Sequence, residues 1–158
     1  MTVVIFVVVF ALLVLVSGRM GLFSGSAPAN LGLREGKFKP PSKTANSVSS
    51  QADQWPGHPQ QAYARIAPLA LQGDGAATIT RLAQIAEGLP GARIVERRPD
   101  YLYVQFTTQL MRFVDDTEFW FDPAAGAVQV RSASRVGRKD LGVNRARIEA
   151  IRARLAGA

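Results

Sequence analysis

Residues 101–108 read Tyr-Leu-Tyr-Val-Gln-Phe-Thr-Thr, and their alternation decides the fold class. In an extended chain Leu102, Val104 and Phe106 fall on one side, with Tyr101, Tyr103 and Gln105 on the other. Working outward, residues 92–97, 117–122 and 127–133 carry the same strand character. Pro99-Asp100 and Asp122-Pro123-Ala124-Ala125-Gly126 supply turns between them. Connections this short imply antiparallel neighbours. Residues 63–71 predict an earlier strand, with Pro68 marking an edge or an early end. Asp74 is placed to cap a helix running to about Glu87, with Ile79, Leu82, Ile85 (or Ala86) and Leu89 on one face and Gly88 and Pro90 ending it. A last helix is predicted over residues 145–155, with Asn144 as its cap and Ile148, Ile151 and Leu155 as its buried stripe. The order β-α-β-β-β-β-α predicts an α+β domain, an antiparallel sheet with two helices packed on one face. A doubly wound nucleotide-binding fold would need strands that alternate with helices, and these do not.

The N-terminus follows different rules. Residues 3–16 are fourteen consecutive apolar residues, VVIFVVVFALLVLV. Extended to Gly18 as a helix, the run spans roughly 27 Å, the thickness of a thin bilayer core. Arg19 is placed to reach the headgroups. The run fits a retained single-pass anchor, a cleaved signal or a buried helix. The n-region of Met1 and Thr2 lacks the cation of a signal peptide, which favours the anchor. Residues 1–23 are therefore taken as a membrane anchor, 24–50 as a flexible tether rich in Gly, Ser, Pro and Asn, and 51–158 as the α+β domain.

Composition excludes much chemistry. The 158 residues contain no Cys and a single His. Disulfides, Cys-ligated zinc, iron–sulfur clusters and a thiol nucleophile are excluded. His58 alone cannot build a multi-histidine metal site, and its Pro-rich surroundings (Trp55-Pro56-Gly57-His58-Pro59) suit a surface loop. No cofactor or metal is implied. The net charge of +7 is uneven: residues 1–50 carry +4, residues 51–133 carry −2 and residues 134–158 carry +5. No zinc finger, aromatic RNA-stacking motif or other reading module accompanies the cations, so no nucleic-acid partner is expected.

Four segments resemble a known family. Arg112-Phe-Val-Asp-Asp-Thr-Glu-Phe119, Arg131-Ser-Ala-Ser-Arg-Val-Gly137 and Asp140-Leu-Gly-Val-Asn-Arg145 are similar to the bacterial and plastid domain of unknown function 1499, and Asn46-Ser-Val-Ser-Ser-Gln51 resembles that family's opening motif. The likeness runs from about residue 31 to residue 155. It implies a membrane or export segment ahead of the domain, and no activity, ligand or cofactor that could be carried over. The family often has a Cys pair around the opening motif. Pro41 and Ser47 hold those places here, so a disulfide or thiol–metal role does not apply to this chain.

The candidate polar cluster or ligand-binding set is Arg112, Asp115, Asp116, Arg131, Ser134, Arg135, Asp140, Asn144 and Arg145. Asp115, Asp116 and Glu118, with Asp140 joining them, could hold a hard cation or split their pKa values for acid–base work. Alternatively, Asp115-Asp116 turns the chain between strands, or the carboxylates pair with Arg112, Arg131 or Arg135. Residues 132–139 combine hydroxyls, a glycine and three cations in a loop before a helix, a composition suited to an anion or a lipid headgroup, though without P-loop spacing. Arg145, Arg147, Arg152 and Arg154 form a basic face on the last helix, opposed only by Glu149. No residue is assigned a catalytic role.

These features predict a membrane-anchored envelope protein, a non-catalytic binding or accessory module contacting anionic lipid headgroups or an envelope protein. The alternative is an envelope enzyme using Asp115, Asp116, Asp140 and Arg135 in one cleft, and a third class is an assembly factor. Positive-inside counting puts the cations Arg19, Arg34, Lys37, Lys39 and Lys43 after the anchor and points to the cytoplasm, whereas the family resemblance points outside. The extracytoplasmic side is the one adopted.

Overall fold

One antiparallel sheet organises the chain, which the computed structural model describes over residues 2–157. Helix α1 (Thr2–Arg19) comes first, followed by β1 (Ser47–Ser49), a single helical turn α2 (Gln61–Ala64), β2 (Leu69–Ala70) and helix α3 (Gly75–Glu87). Strands β3 (Ala92–Arg97), β4 (Tyr101–Thr107), β5 (Val114–Asp122) and β6 (Ala127–Ser134) lead to the last helix, α4 (Val143–Ala156). The strand order is β1-β6-β5-β4-β3. Both β1 and β2 pair with β6, lying end to end along its edge opposite residues 131–133 and 127–128. The α+β class and the antiparallel pairing predicted from the alternation of β4 are both present.

The inner face of the sheet packs on α3 and α4. Leu102, Val104, Phe106, Phe119, Val128 and Val130 meet Ile79, Leu82, Ala86, Ile148, Ile151 and Leu155, all buried. Each large side chain buried here contributes roughly 1.5–3 kcal/mol. Asp74 caps α3 as expected, its Oδ1 accepting from the Ala77 amide at 2.7 Å. Gly91 (φ +73°) closes the α3–β3 connection so tightly that a Cβ there would lie 2.0 Å from the Thr107 carbonyl oxygen.

Three local expectations differ from the structure. Residues 63–71 do not form one strand: the chain makes α2, forms a single parallel bridge between Arg65 and Ser49, and pairs with β6 only at Leu69–Ala70 after Pro68. Ile66 and Leu69 are both buried and mimic strand periodicity without it. Strand β5 starts at Val114, so Asp115 and Asp116 lie within the sheet and do not turn the chain. Asn144 is not the cap of α4. The helix begins at Val143 after Gly142 (φ 81°), and Asp140 supplies the capping acceptors to the amides of Gly142 (3.0 Å) and Asn144 (3.3 Å).

The outer face of the sheet is covered as well. Residues 28–40 lie over it, and Leu31, Leu33, Phe38 and Trp120 pack with Tyr101 and Tyr103. Phe38 is fully buried, its amide donating to Gln51 Oε1 at 2.8 Å. A tight hairpin bridges Arg34 and Lys37 through Glu35 (φ 53°) and Gly36 (φ 71°), the paired positive φ values that favour two-residue hairpin loops. The sheet and its cover thus begin well before residue 51. Helix α1 is exposed along its apolar length and ends against the β4–β5 turn, where a Cβ on Gly18 would lie 3.2 Å from the Met111 backbone and the Phe23 and Phe113 rings are 5.8 Å apart.

Candidate functional site

Four consecutive polar residues of β5, Asp115 (3% exposed), Asp116 (1%), Thr117 (0%) and Glu118 (0%), are buried. Charged side chains are almost never buried this fully unless paired. The pleat sends them to opposite faces: Asp115 and Thr117 towards the helices, Asp116 and Glu118 towards the cover.

On the helix side, Asp115 Oδ2 accepts from Arg147 Nη2 at 2.6 Å, and the Arg147 guanidinium lies 4.5 Å over the Phe106 ring. Ser132 Oγ donates to Asn144 Oδ1 at 2.6 Å. A hydroxyl has one proton, so Thr117 Oγ1 must be the donor in its 2.7 Å bond to Ser132. Asn144 Nδ2 donates to Asp140 Oδ2 (2.9 Å), Ser134 Oγ (3.0 Å) and the Asn46 carbonyl (3.3 Å). Tyr63 donates its hydroxyl to Asp140 Oδ1. The Asn144 amide is thereby saturated, and it pins α4 to the end of β6 and to the segment entering β1. Beside this network, the buried Asn46 Oδ1 has no hydrogen-bond partner among the described residues.

Burial alone would raise the Asp140 carboxyl, but the hydrogen bonds from Tyr63, Asn144 and the Gly142 and Asn144 amides outweigh it and hold the group below its ordinary 3.8. A depressed folded-state pKa contributes stability that is present above the unfolded value and lost as pH falls through the folded one. Asp140→Asn is therefore expected to lower stability at pH 7 by about 1–2 kcal/mol and to flatten the decline below about pH 3.8. Urea midpoints of both chains between neutral and strongly acid pH check this, and parallel declines would assign the acid lability to another group.

On the cover side, Arg135 grips Asp116 as a fork, with Nε to Oδ2 and Nη2 to Oδ1 both at 2.8 Å. Tyr103 donates to the same carboxylate and accepts from Gln105 Nε2 at 2.8 Å. Glu118 Oε1 accepts from the Tyr101 hydroxyl at 2.8 Å and from the Gly32 amide at 2.6 Å. Burial and then the Glu118 charge push the Tyr101 phenol well above its ordinary value, so it stays a donor. Beside Glu118 lies Arg131, 3% exposed, with Nη1 3.5 Å from Glu118 Oε2. Neither that oxygen nor Arg131 Nε and Nη1 has a hydrogen-bond partner among the described residues. Burial lowers the Arg131 pKa, and its carboxylate neighbours oppose the shift. A cavity of about 330 Å³ opens here, bordered by Ser26, Lys39, Ser42, Asp116, Arg131 and Arg135.

The nine sequence candidates thus separate. Asp116, Arg131 and Arg135 gather on the outer face, and Asp115, Ser134, Asp140 and Asn144 on the inner one. Arg112 (φ 58°) is exposed in the β4–β5 turn, and Arg145 donates to the carbonyls of Arg65 (2.9 Å) and Tyr63 (2.5 Å), outside both networks. Asp115, Asp116, Asp140 and Arg135 therefore do not share one cleft, and no three carboxylate or His side chains among the described residues are grouped to hold a metal. Tyr101, Tyr103 and Lys39 escaped the sequence analysis as site residues. The in-phase spacing of the two tyrosines with the acidic strand was their only signal.

An apolar helix long enough to span a bilayer, joined to an α+β domain whose sheet buries polar networks on both faces, defines the class. The chain matches the family described as protein of unknown function (DUF1499) over residues 37–155, and it belongs to that family. That span starts one residue before Phe38 and includes β1, so it takes in part of the cover as well as the sheet. Neither the curated proteins nor the solved structures contain a match to it.

Proposed function

We propose that the chain is a membrane-anchored binding module of the cell envelope, without catalysis, whose helix-side end contacts anionic lipid headgroups. One observation carries this: α1 leaves the domain at the same end of the sheet that gathers exposed cations and apolar side chains. Arg19, Lys43, Arg112, Arg138 and Lys139 are exposed there, together with Leu110 (57% exposed), Phe113 (37%) and Leu141 (91%). The acidic Asp115 and Asp140 at this end are buried and already bonded to Arg147 and Tyr63. Cations held at an anionic surface gain about 1 kcal/mol each, and the apolar tips suit the interfacial zone. A retained anchor is supported by the packing of Gly18 and Phe23 on the β4–β5 turn. Placement outside the cytoplasm rests on the export segments common in the family.

Hydrogen exchange on the full chain in nanodiscs tests the contact. Residues 108–113 and 136–143 should be protected in anionic discs, exchange faster in zwitterionic ones, and lose protection as salt rises. Equal exchange in both discs sinks headgroup contact. Protease access in intact cells, spheroplasts and lysed cells tests the compartment, and cleavage only after lysis would put the domain inside.

A further inference from the structure

The outer-face cavity holds an unresolved electrostatic problem. Lys39, Arg131, Arg135 and Asp116 border it, and Glu118 lies 3.5 Å from Arg131, so the five groups together leave a surplus of one positive charge. Asp116 is committed to Arg135 through two hydrogen bonds and to Tyr103 through another. Glu118 spends one oxygen on Tyr101 and Gly32 and holds the other 3.5 Å from Arg131. Arg131 Nε and Nη1 have no hydrogen-bond partner among the described residues, although the side chain is 3% exposed. A guanidinium has five N–H donors, so a small approach by Glu118 would satisfy one and leave the rest. Buried donors left without acceptors are costly, and a surplus of buried positive charge calls for an anion that accepts from them. Burial and the neighbouring Arg131 hold the Lys39 ammonium below its ordinary value, which an anion between them would reverse.

We propose that this cavity binds a phosphate group of single negative charge carried on a small organic moiety, a phosphodiester, between Arg131 and Lys39. The surplus of one cation matches one negative charge. Three cations and the hydroxyl residues Ser26 and Ser42 border the space, a donor set that the several oxygens of a phosphate can share. The volume of about 330 Å³ leaves room for an attached glycerol-sized group. Ser26 and Ala27 are exposed at the border and give a way in. This site is on the sheet face and does not depend on the contacts proposed for the helix-side end.

Titration calorimetry on the full chain in an uncharged maltoside detergent tests it, with glycerophosphoglycerol as the soluble probe and short-chain phosphatidylglycerol as the lipid probe. Binding of the soluble probe marks a free small molecule as the ligand, and binding of the lipid alone marks a lipid headgroup. Glycerol, without the charge, should not bind. Lys39→Met should weaken the binding at least about tenfold, the equivalent of about 1.4 kcal/mol. The charge-balanced pair Glu118→Gln with Arg131→Met, which leaves no unpaired buried charge, should abolish it. Arg154→Met, a change to an exposed cation on the other face, should leave it unchanged. No heat with either phosphodiester, or undiminished binding by the Glu118→Gln/Arg131→Met chain, overturns the proposal.

Discussion

Glu118→Ala is expected to destabilise the full chain by about 3–5 kcal/mol, a large share of the roughly 5–15 kcal/mol that holds a domain folded. The change removes the carboxylate paired with Arg131, whose side chain is 3% exposed and whose Nε and Nη1 have no hydrogen-bond partner among the described residues. Asp116 cannot take over, because Arg135 and Tyr103 already occupy it. The Tyr101 hydroxyl and the Gly32 amide also lose their shared acceptor. Glu118→Gln separates these effects. It keeps an oxygen for Tyr101 and Gly32 and removes only the charge, so its cost should be smaller but still large. Adding Arg131→Met to it should recover most of the loss, because an apolar side chain in place of an unpaired guanidinium no longer calls for a counter-charge. Urea unfolding of the parent, Glu118→Gln, Arg131→Met and the double change, read as a double-mutant cycle, gives the coupling directly. If the two single changes at Glu118 and the double change all fall within about 1 kcal/mol of the parent, the ion pair is not what holds the outer face.

Local patterns revealed the inner half of this molecule and concealed the outer half. Leu102, Val104 and Phe106 alternate with polar residues, and Ile148, Ile151 and Leu155 recur at helical spacing, so the helix-facing core could be read directly. The same alternation assigns Tyr101, Tyr103, Asp116 and Glu118 to a face that polarity alone would send to water. Their burial depends on residues 28–40, a segment without periodicity, whose Phe38 fills a space that nothing adjacent in sequence predicts. The candidate polar set was legible by residue type, and Asp116, Arg131 and Arg135 do meet. Which carboxylate faces which cation was not legible, because strand phase and the β5–β6 register decide it, and the start of β5 at Val114 sets that phase. Asp115-Asp116 has the composition of a turn, and only its partners, Arg147 on one face and Arg135 on the other, make a strand of it.

A chain cut to begin at residue 51 is expected not to fold, whereas one beginning at residue 24 should fold without the apolar helix. The shorter chain loses β1 and with it the pairing of residues 131–133 on the edge of β6. It also loses the fully buried Val48 and Phe38, the partly buried Leu31 and Leu33, and the Gly32 amide that Glu118 accepts from. Burial of Phe38 and Val48 alone accounts for roughly 3–6 kcal/mol, which is comparable to the whole stability of many small domains. The loss is compounded on the polar side. With the cover gone, water reaches Arg131, Glu118 and Asp116, so the ion pairs that were strong in a low-dielectric layer weaken towards surface values. The Asn46 carbonyl also goes, and with it one of the three acceptors that fix Asn144. A chain beginning at residue 37, where the family match starts, keeps Phe38, Asn46 and β1 but lacks Leu31, Leu33 and Gly32, so it should fold with a lower melting temperature than the chain from residue 24. Amide shift dispersion and cooperative melting of the three chains decide between a tether and a cover. A chain from residue 51 that melts as cooperatively, and at the same temperature, as the one from residue 24 would mean that residues 24–50 lie on the domain without supporting it.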